Sequence, residues 1–198
     1  MSEEIPPSNP TRIFEILNRH GVDYVVIGGI AVIAHGHIRT TADVDFVADT
    51  EFGNLERLAA ALRDLHAELR GVDAHLLDVD IYDPHTLATG ANFTMTSEAG
   101  HLDFFNEIPG GLPYDRLRER AMVAEVRGAR IVIAGFEDLI RMKIAADRPQ
   151  DHADIAALRD AARASKHHDR GTRDRDPKRG QGRSPDNDHG PEPLSSGS

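Results

Sequence analysis

The stretch from Asp23 to Asp49 most constrains what this chain can fold into. Asp23–Ile27 (Asp-Tyr-Val-Val-Ile) is a short β-branched run that closes on Gly28-Gly29. Asp43–Asp49 (Asp-Val-Asp-Phe-Val-Ala-Asp) alternates with a period of two. Both segments read as strands. Between them, Ile30–His35 suits a short helix stopped by Gly36. A strand, a glycine turn, a helix and a second strand in so short a span call for a sheet with helices packed on it.

The alternation of periods continues on both sides. Thr11–His20 carries Ile13, Phe14, Ile16 and Leu17 at helical spacing and ends at Gly21. Thr50 reads as the cap of a long helix with an apolar stripe at Phe52, Leu55, Leu58, Ala59, Leu62, Leu65 and Leu69. Gly71–Gly90 shows no clear period and reads as loop-rich. Phe93–Thr96 and His101–Phe105, around Ser97-Glu98-Ala99-Gly100, read as a hairpin, and Met122–Val126 with Arg130–Ala134 as a second. Helices over Glu137–Ala146 and Asp151–Ala164 follow, parted by Arg148-Pro149. The expected fold class is α+β (mixed α/β): a mixed sheet with flanking helices and a C-terminal helical pair.

Composition sets the limits of the domain. The chain has 198 residues and no Cys, which excludes a disulfide scaffold, a thiolate-bound metal and a thiol nucleophile. No apolar run is long enough to span a membrane, and the first ten residues lack the basic and apolar regions of a signal peptide. No membrane partner is expected, and the cytoplasm is the expected location. From Lys166 to Ser198 the only aliphatic or aromatic residue is Leu194. Such a segment cannot bury enough apolar surface to offset its ordering entropy, so residues 166–198 read as a disordered tail behind a domain at residues 1–165. The net charge of −10 speaks against sequence-blind DNA binding.

The carboxylates carry the chemistry. Asp43 and Asp45 stand two apart in a strand, so both leave one face, with Cα atoms about 6.5–7 Å apart. Convergent carboxylates repel by about 4 kcal/mol at ~4 Å and an effective dielectric near 20. A divalent cation with oxygen ligands would offset this. An exposed edge strand is the plainer explanation for the pair. Asp103, between Leu102 and Phe104 in a strand-like run, adds a third acid where a surface role is unexpected. Three carboxylates from two strands suit two Mg²⁺ ions, with Mn²⁺ as an alternative. Gly28-Gly29, ahead of a helix, leaves backbone N–H groups free for a phosphate; the alternative is a tight turn needing positive φ.

Other polar groups point to the same place. Lys143 shares a helix side with Leu139, Ile140 and Ile144, so it must either snorkel or reach a buried anion. A triphosphate, or Asp151 or Asp154 of the next helix, would serve. Asp151 also suits a first-turn acid after Pro149, and Arg148 would reach either a phosphate or Asp151. Arg39, ahead of the carboxylates, suits a triphosphate contact. His35-x-His37 reads as packing rather than a metal site.

Gly28-Gly29, Asp43-x-Asp45 and the later Asp103 together resemble the polymerase-β-like nucleotidyltransferase superfamily. The run from Gly28-Gly29-Ile30-Ala31 through His35-Gly36-His37-Ile38-Arg39-Thr40-Thr41-Ala42-Asp43 is most similar to its AbiEii-type branch. Lys143 and Arg148-Pro149-Gln150-Asp151-His152-Ala153-Asp154 resemble that branch's late Lys and Arg-x-x-Asp-x-x-Asp run. Gly29 replaces the wider superfamily's common Ser, in agreement with the branch. The resemblance implies a nucleotidyltransferase-type sheet and transfer of an NMP from an NTP to an acceptor, releasing pyrophosphate. Asp43, Asp45 and Asp103 would bind two Mg²⁺ ions and, with Lys143, form the catalytic set. Gly28, Gly29, Arg39, Thr41, Lys143, Arg148 and Asp151 would bind the nucleotide. It also implies an acceptor hydroxyl on RNA, such as a tRNA 3′ end, or on protein, and a cognate antitoxin. A small-molecule acceptor of antibiotic type stays open. So does a different class, a catalytically silent nucleotide-binding or partner-binding module.

Overall fold

The computed structural model describes residues 8–41, 43–71 and 78–173. In chain order the elements are α1 (Pro10–Arg19), β1 (Tyr24–Val26), α2 (Gly28–Ala34), β2 (Asp43–Ala48), α3 (Phe52–Asp64), β3 (Glu68–Leu69) and α4 (Pro84–Leu87). Then come β4 (Phe93–Ser97), β5 (Gly100–Phe105), α5 (Tyr114–Glu119), β6 (Met122–Val126), β7 (Ala129–Ile133), α6 (Phe136–Ala146) and α7 (Pro149–Arg173). The strands form one mixed sheet in the order β3-β4-β5-β2-β1-β7-β6. β2 runs parallel to β5 and β1 parallel to β7, while the other pairs are antiparallel. The fold is the α+β class expected from the sequence.

Period-two alternation sorts the two faces of β2. Val44, Phe46 and Ala48 are buried on one side, and Asp43 and Asp45 stay half-buried on the other. The apolar face is built around aromatics. Phe46 stacks on Phe104 at 5.7 Å and Phe104 on Phe93 at 6.0 Å, while Tyr24 meets the edge of Phe46 at 6.1 Å. Each fully buried ring of this size contributes roughly 1.5–3 kcal/mol by area, plus a smaller geometric term. Ile13, Phe14, Ile16 and Leu17 of α1 and Leu55, Leu58 and Leu62 of α3 complete this core. Buried Asn54 stitches α3 to the sheet: it accepts from the Asp23 N–H and donates to the carbonyls of Asp23 and Asp49.

Several boundaries differ from the sequence reading, each for a local reason. Helix α2 starts at Gly28, so both glycines belong to its first turn rather than to a loop ahead of it. Thr50 does not cap α3. Glu51 holds that position, and its N–H bonds to the Asp49 carboxylate. Helix α3 ends at Asp64, and His66 takes a left-handed φ of 49° that turns the chain back. Leu69 therefore leaves the helical stripe and pairs with Met95 in β3. The loop-rich stretch contains α4, capped by Asp83 accepting from the His85 N–H, while residues 72–77 lie outside the described residues. The short helix α5 lacked a sequence signal, having one buried apolar residue, Leu117. Helix α7 begins at Pro149 and stays helical to Arg173, past Ser165 where apolar residues run out. Residues 174–198 of the expected tail lie outside the described residues.

Candidate active site

The Asp43/Asp45 face of the sheet meets the end of β1 and the start of α2. The Ile27 N–H bonds to the Asp45 carbonyl at 2.9 Å, which fixes the turn against β2. Gly28 adopts φ +61°, and a Cβ there would overlap the Asp45 carboxylate. Both conditions demand glycine. A Cβ on Gly29 would come within 2.5 Å of an Arg39 guanidinium nitrogen and of Thr41 Oγ1. The two glycines thus let Asp45 on one side and Arg39 and Thr41 on the other close upon the turn.

Parallel register carries the third acid to the same place. β2 and β5 align Asp43 with His101 and Asp45 with Asp103, so the three carboxylates share one sheet face. They line a cleft of about 410 Å³ together with Gly28 and Gly29. The α2–β2 connection adds Arg39 and Thr41 to its lining, α6 adds Lys143, the α6–α7 turn Arg148 and α7 Asp151. Every residue singled out from the sequence as a site residue therefore lines this one cleft.

The acids are electrostatically costly as they stand. Burial, and then the nearby Asp103 and Asp43 charges, push the Asp45 carboxyl up to about 6, against the Gly29 N–H bond and Arg148. Burial raises the Asp103 carboxyl as well, with Arg70 and a bond from Thr94 opposing it. Asp103 Oδ1 is buried without a hydrogen-bond partner among the described residues. Among the described residues, no three His, Cys, Asp or Glu side chains are closed into ready-made metal geometry. The set is open, but its chemistry suits a hard cation: oxygen donors only, like-charge strain and an unpartnered buried oxygen.

The opposite side of the cleft is an ion-pair network. Lys143 is only 6% exposed, and its Nζ lies 2.7 Å from both Asp151 Oδ1 and Asp154 Oδ2. Arg148 Nε donates to Asp151 Oδ2 at 2.8 Å, and Arg39 holds Asp154 through Nη1 at 3.0 and 3.2 Å. Burial works to raise the Asp151 carboxyl, yet the bonds from Arg148 and Lys143 outweigh it and hold it low. Of the two anions weighed for Lys143, the carboxylates of α7 are the ones it meets in this structure. The network holds three cations against two acids, so it presents net positive charge beside the carboxylate face. Arg39 Nε remains buried without a hydrogen-bond partner among the described residues.

Asp154, the last acid of the Arg-x-x-Asp-x-x-Asp run, is absent from the expected site set, although its i+3 spacing from Asp151 places both acids on one helix side. Arg70 was missed altogether because the helix α3 stripe was carried through Leu69. It stands 3.9 Å from Asp43 Oδ2 and 3.7 Å from Asp103 Oδ1.

Residues 11–162 match the family model described as "Nucleotidyltransferase of unknown function (DUF6036)". The chain belongs to that family and is a nucleotidyltransferase. No curated protein matches it in sequence. Among solved structures it resembles the lincosamide antibiotic adenylyltransferase LnuA in its lincomycin-bound form. The TM-score is 0.52 at 16% identity, over 75% of this chain and 92% of that one. It also resembles an antigenic nucleotidyltransferase-like protein from Paracoccidioides brasiliensis, with a TM-score of 0.50, 18% identity, and coverage of 75% and 72%. These likenesses concern the fold. No described helix is long and apolar enough to cross a membrane.

Proposed function

We propose that the protein moves an NMP from an NTP to an acceptor hydroxyl with release of pyrophosphate, in the manner of the AbiEii-type branch. The observation that carries this reading is the placement of Asp43, Asp45 and Asp103 on one sheet face, beside Gly28-Gly29 and opposite a net-positive ion-pair network. Asp43, Asp45 and Asp103 would hold two Mg²⁺ ions, or Mn²⁺. Bound there, the metal supplies Lewis-acid activation of the acceptor hydroxyl and neutralises charge on the departing pyrophosphate.

The chain's own residues divide the remaining work. Asp103, with an unpartnered oxygen on the carboxylate face, takes part in removing the acceptor hydroxyl's proton. The glycine turn lets the triphosphate approach the backbone, and Thr41 brings a hydroxyl beside Gly29. Arg39 and Arg148 direct positive charge at the phosphates. Lys143 acts as a positioning residue by locking Asp151 and Asp154, which in turn aim Arg148 and Arg39.

The branch resemblance favours RNA, such as a tRNA 3′ end, or a protein as acceptor, a cytoplasmic toxin role and a cognate antitoxin. The net charge of −10 disfavours a long polyanion and favours a short single-stranded end or a protein hydroxyl. A small molecule of antibiotic type, as bound in LnuA, is the second reading; the fold likeness supports it and the branch motifs do not. No observation favours a silent module, since all three carboxylates are present. The test incubates the full chain with Mg²⁺, each α-³²P-labelled NTP, and host RNA and soluble protein, beside Asp45→Ala. Label should move to an RNase- or protease-sensitive band with wild type alone. Failure to transfer to any fraction, without NTP binding by calorimetry, contradicts the proposal.

A further inference from the structure

Arg70 lies beyond the end of β3, at the edge of the sheet, and takes no part in the chemistry above. Its backbone N–H donates to the Thr94 carbonyl at 2.8 Å, so its Cα is tied to the sheet across β4 from β5. Its side chain, 36% exposed, reaches over to the carboxylate face. The guanidinium stops 3.9 Å from Asp43 Oδ2 and 3.7 Å from Asp103 Oδ1, beyond hydrogen-bond distance from both. Asp103 Oδ1 has no hydrogen-bond partner among the described residues even so. Arg70 thus contributes charge without closing a bidentate pair, which it is chemically equipped to make. An arginine held this way offsets the charge of Asp43 and Asp103 yet leaves Asp103 Oδ1 open to another ligand.

We infer that Arg70 is a built-in counter-cation for Asp43 and Asp103 that competes with the divalent ion and so sets the metal affinity of the site. It screens the carboxylates in the metal-free protein and withdraws toward solvent as the ion enters. The inference rests on the metal-binding role proposed for the three acids. It makes Arg70 a positioning residue whose charge, rather than its hydrogen bonds, matters.

The test is a calorimetric titration of the nucleotide-free full chain with Mn²⁺ alone, in wild type, Arg70→Lys, Arg70→Gln and Arg70→Glu. Affinity should rise along that series as positive charge is removed. Arg70→Lys should stay close to wild type, Arg70→Gln should bind about tenfold more tightly, and Arg70→Glu more tightly still. A merely structural arginine would give equal or weaker binding in all three variants, and a flat or reversed series overturns the inference. Asp43→Asn and Asp45→Asn separate the two levels of the claim. If they abolish Mn²⁺ binding while the Arg70 series is flat, only the counter-cation role fails. If they leave binding unchanged, the metal-binding reading itself fails. Thermal melts of each variant show that the compared proteins are folded.

Discussion

At the residue scale, Asp45 shows what the site costs the fold. Its carboxyl is raised to about 6, so the folded state binds its proton more tightly than the unfolded chain, where the ordinary value is 3.8. The sign follows from linkage. Protonated Asp45 favours folding at low pH, and this advantage is lost as pH rises from about 4 through about 6. A shift of this size corresponds to about 2–3 kcal/mol. Asp45→Asn, which removes the charge and keeps the shape, should therefore be more stable than wild type by about 1–3 kcal/mol above pH 6 in EDTA. The gap should close below pH 4. Urea unfolding of both proteins across this range checks it, and a constant difference, or a less stable variant at neutral pH, would contradict the cause assigned here.

At the scale of elements, the buried Lys143 network ties α6 to α7. Removing one partner of a buried ion pair typically costs about 3–5 kcal/mol, because the remaining charge is stranded. Asp151 and Asp154 each keep an arginine, so Lys143→Met should sit at the low end, on the order of 3 kcal/mol by denaturant unfolding. An unchanged midpoint would show that the network carries no net stability.

Elements are also where sequence legibility was uneven. β2 was readable because its alternation and its two acids agree on which face is buried. Asp103 was readable because an acid between Leu102 and Phe104 is out of place unless it faces a site. The end of α3 was not, because Leu65 and Leu69 extend an apolar stripe that His66 breaks through backbone conformation rather than side-chain chemistry. That single error hid β3, and with it Arg70. Helix α5 was invisible for another reason: a short helix on one buried leucine has no period to detect. The pairing of Lys143 stayed undecided because only tertiary packing settles which anion a buried lysine meets.

At the scale of the molecule, one cleft brings together opposite electrostatic demands. Three carboxylates crowd the sheet side, and a network of three cations and two acids lies across from them, in a chain of net charge −10. The central claim is that the carboxylate face exists for transfer chemistry and not for folding. The most direct measurement is NMP transfer from α-³²P-labelled NTP in host extract by wild type and Asp103→Asn, with urea unfolding on the same preparations. The account predicts that Asp103→Asn loses transfer by roughly a thousandfold or more while its stability is equal or higher. Transfer within tenfold of wild type by a well-folded Asp103→Asn would contradict it.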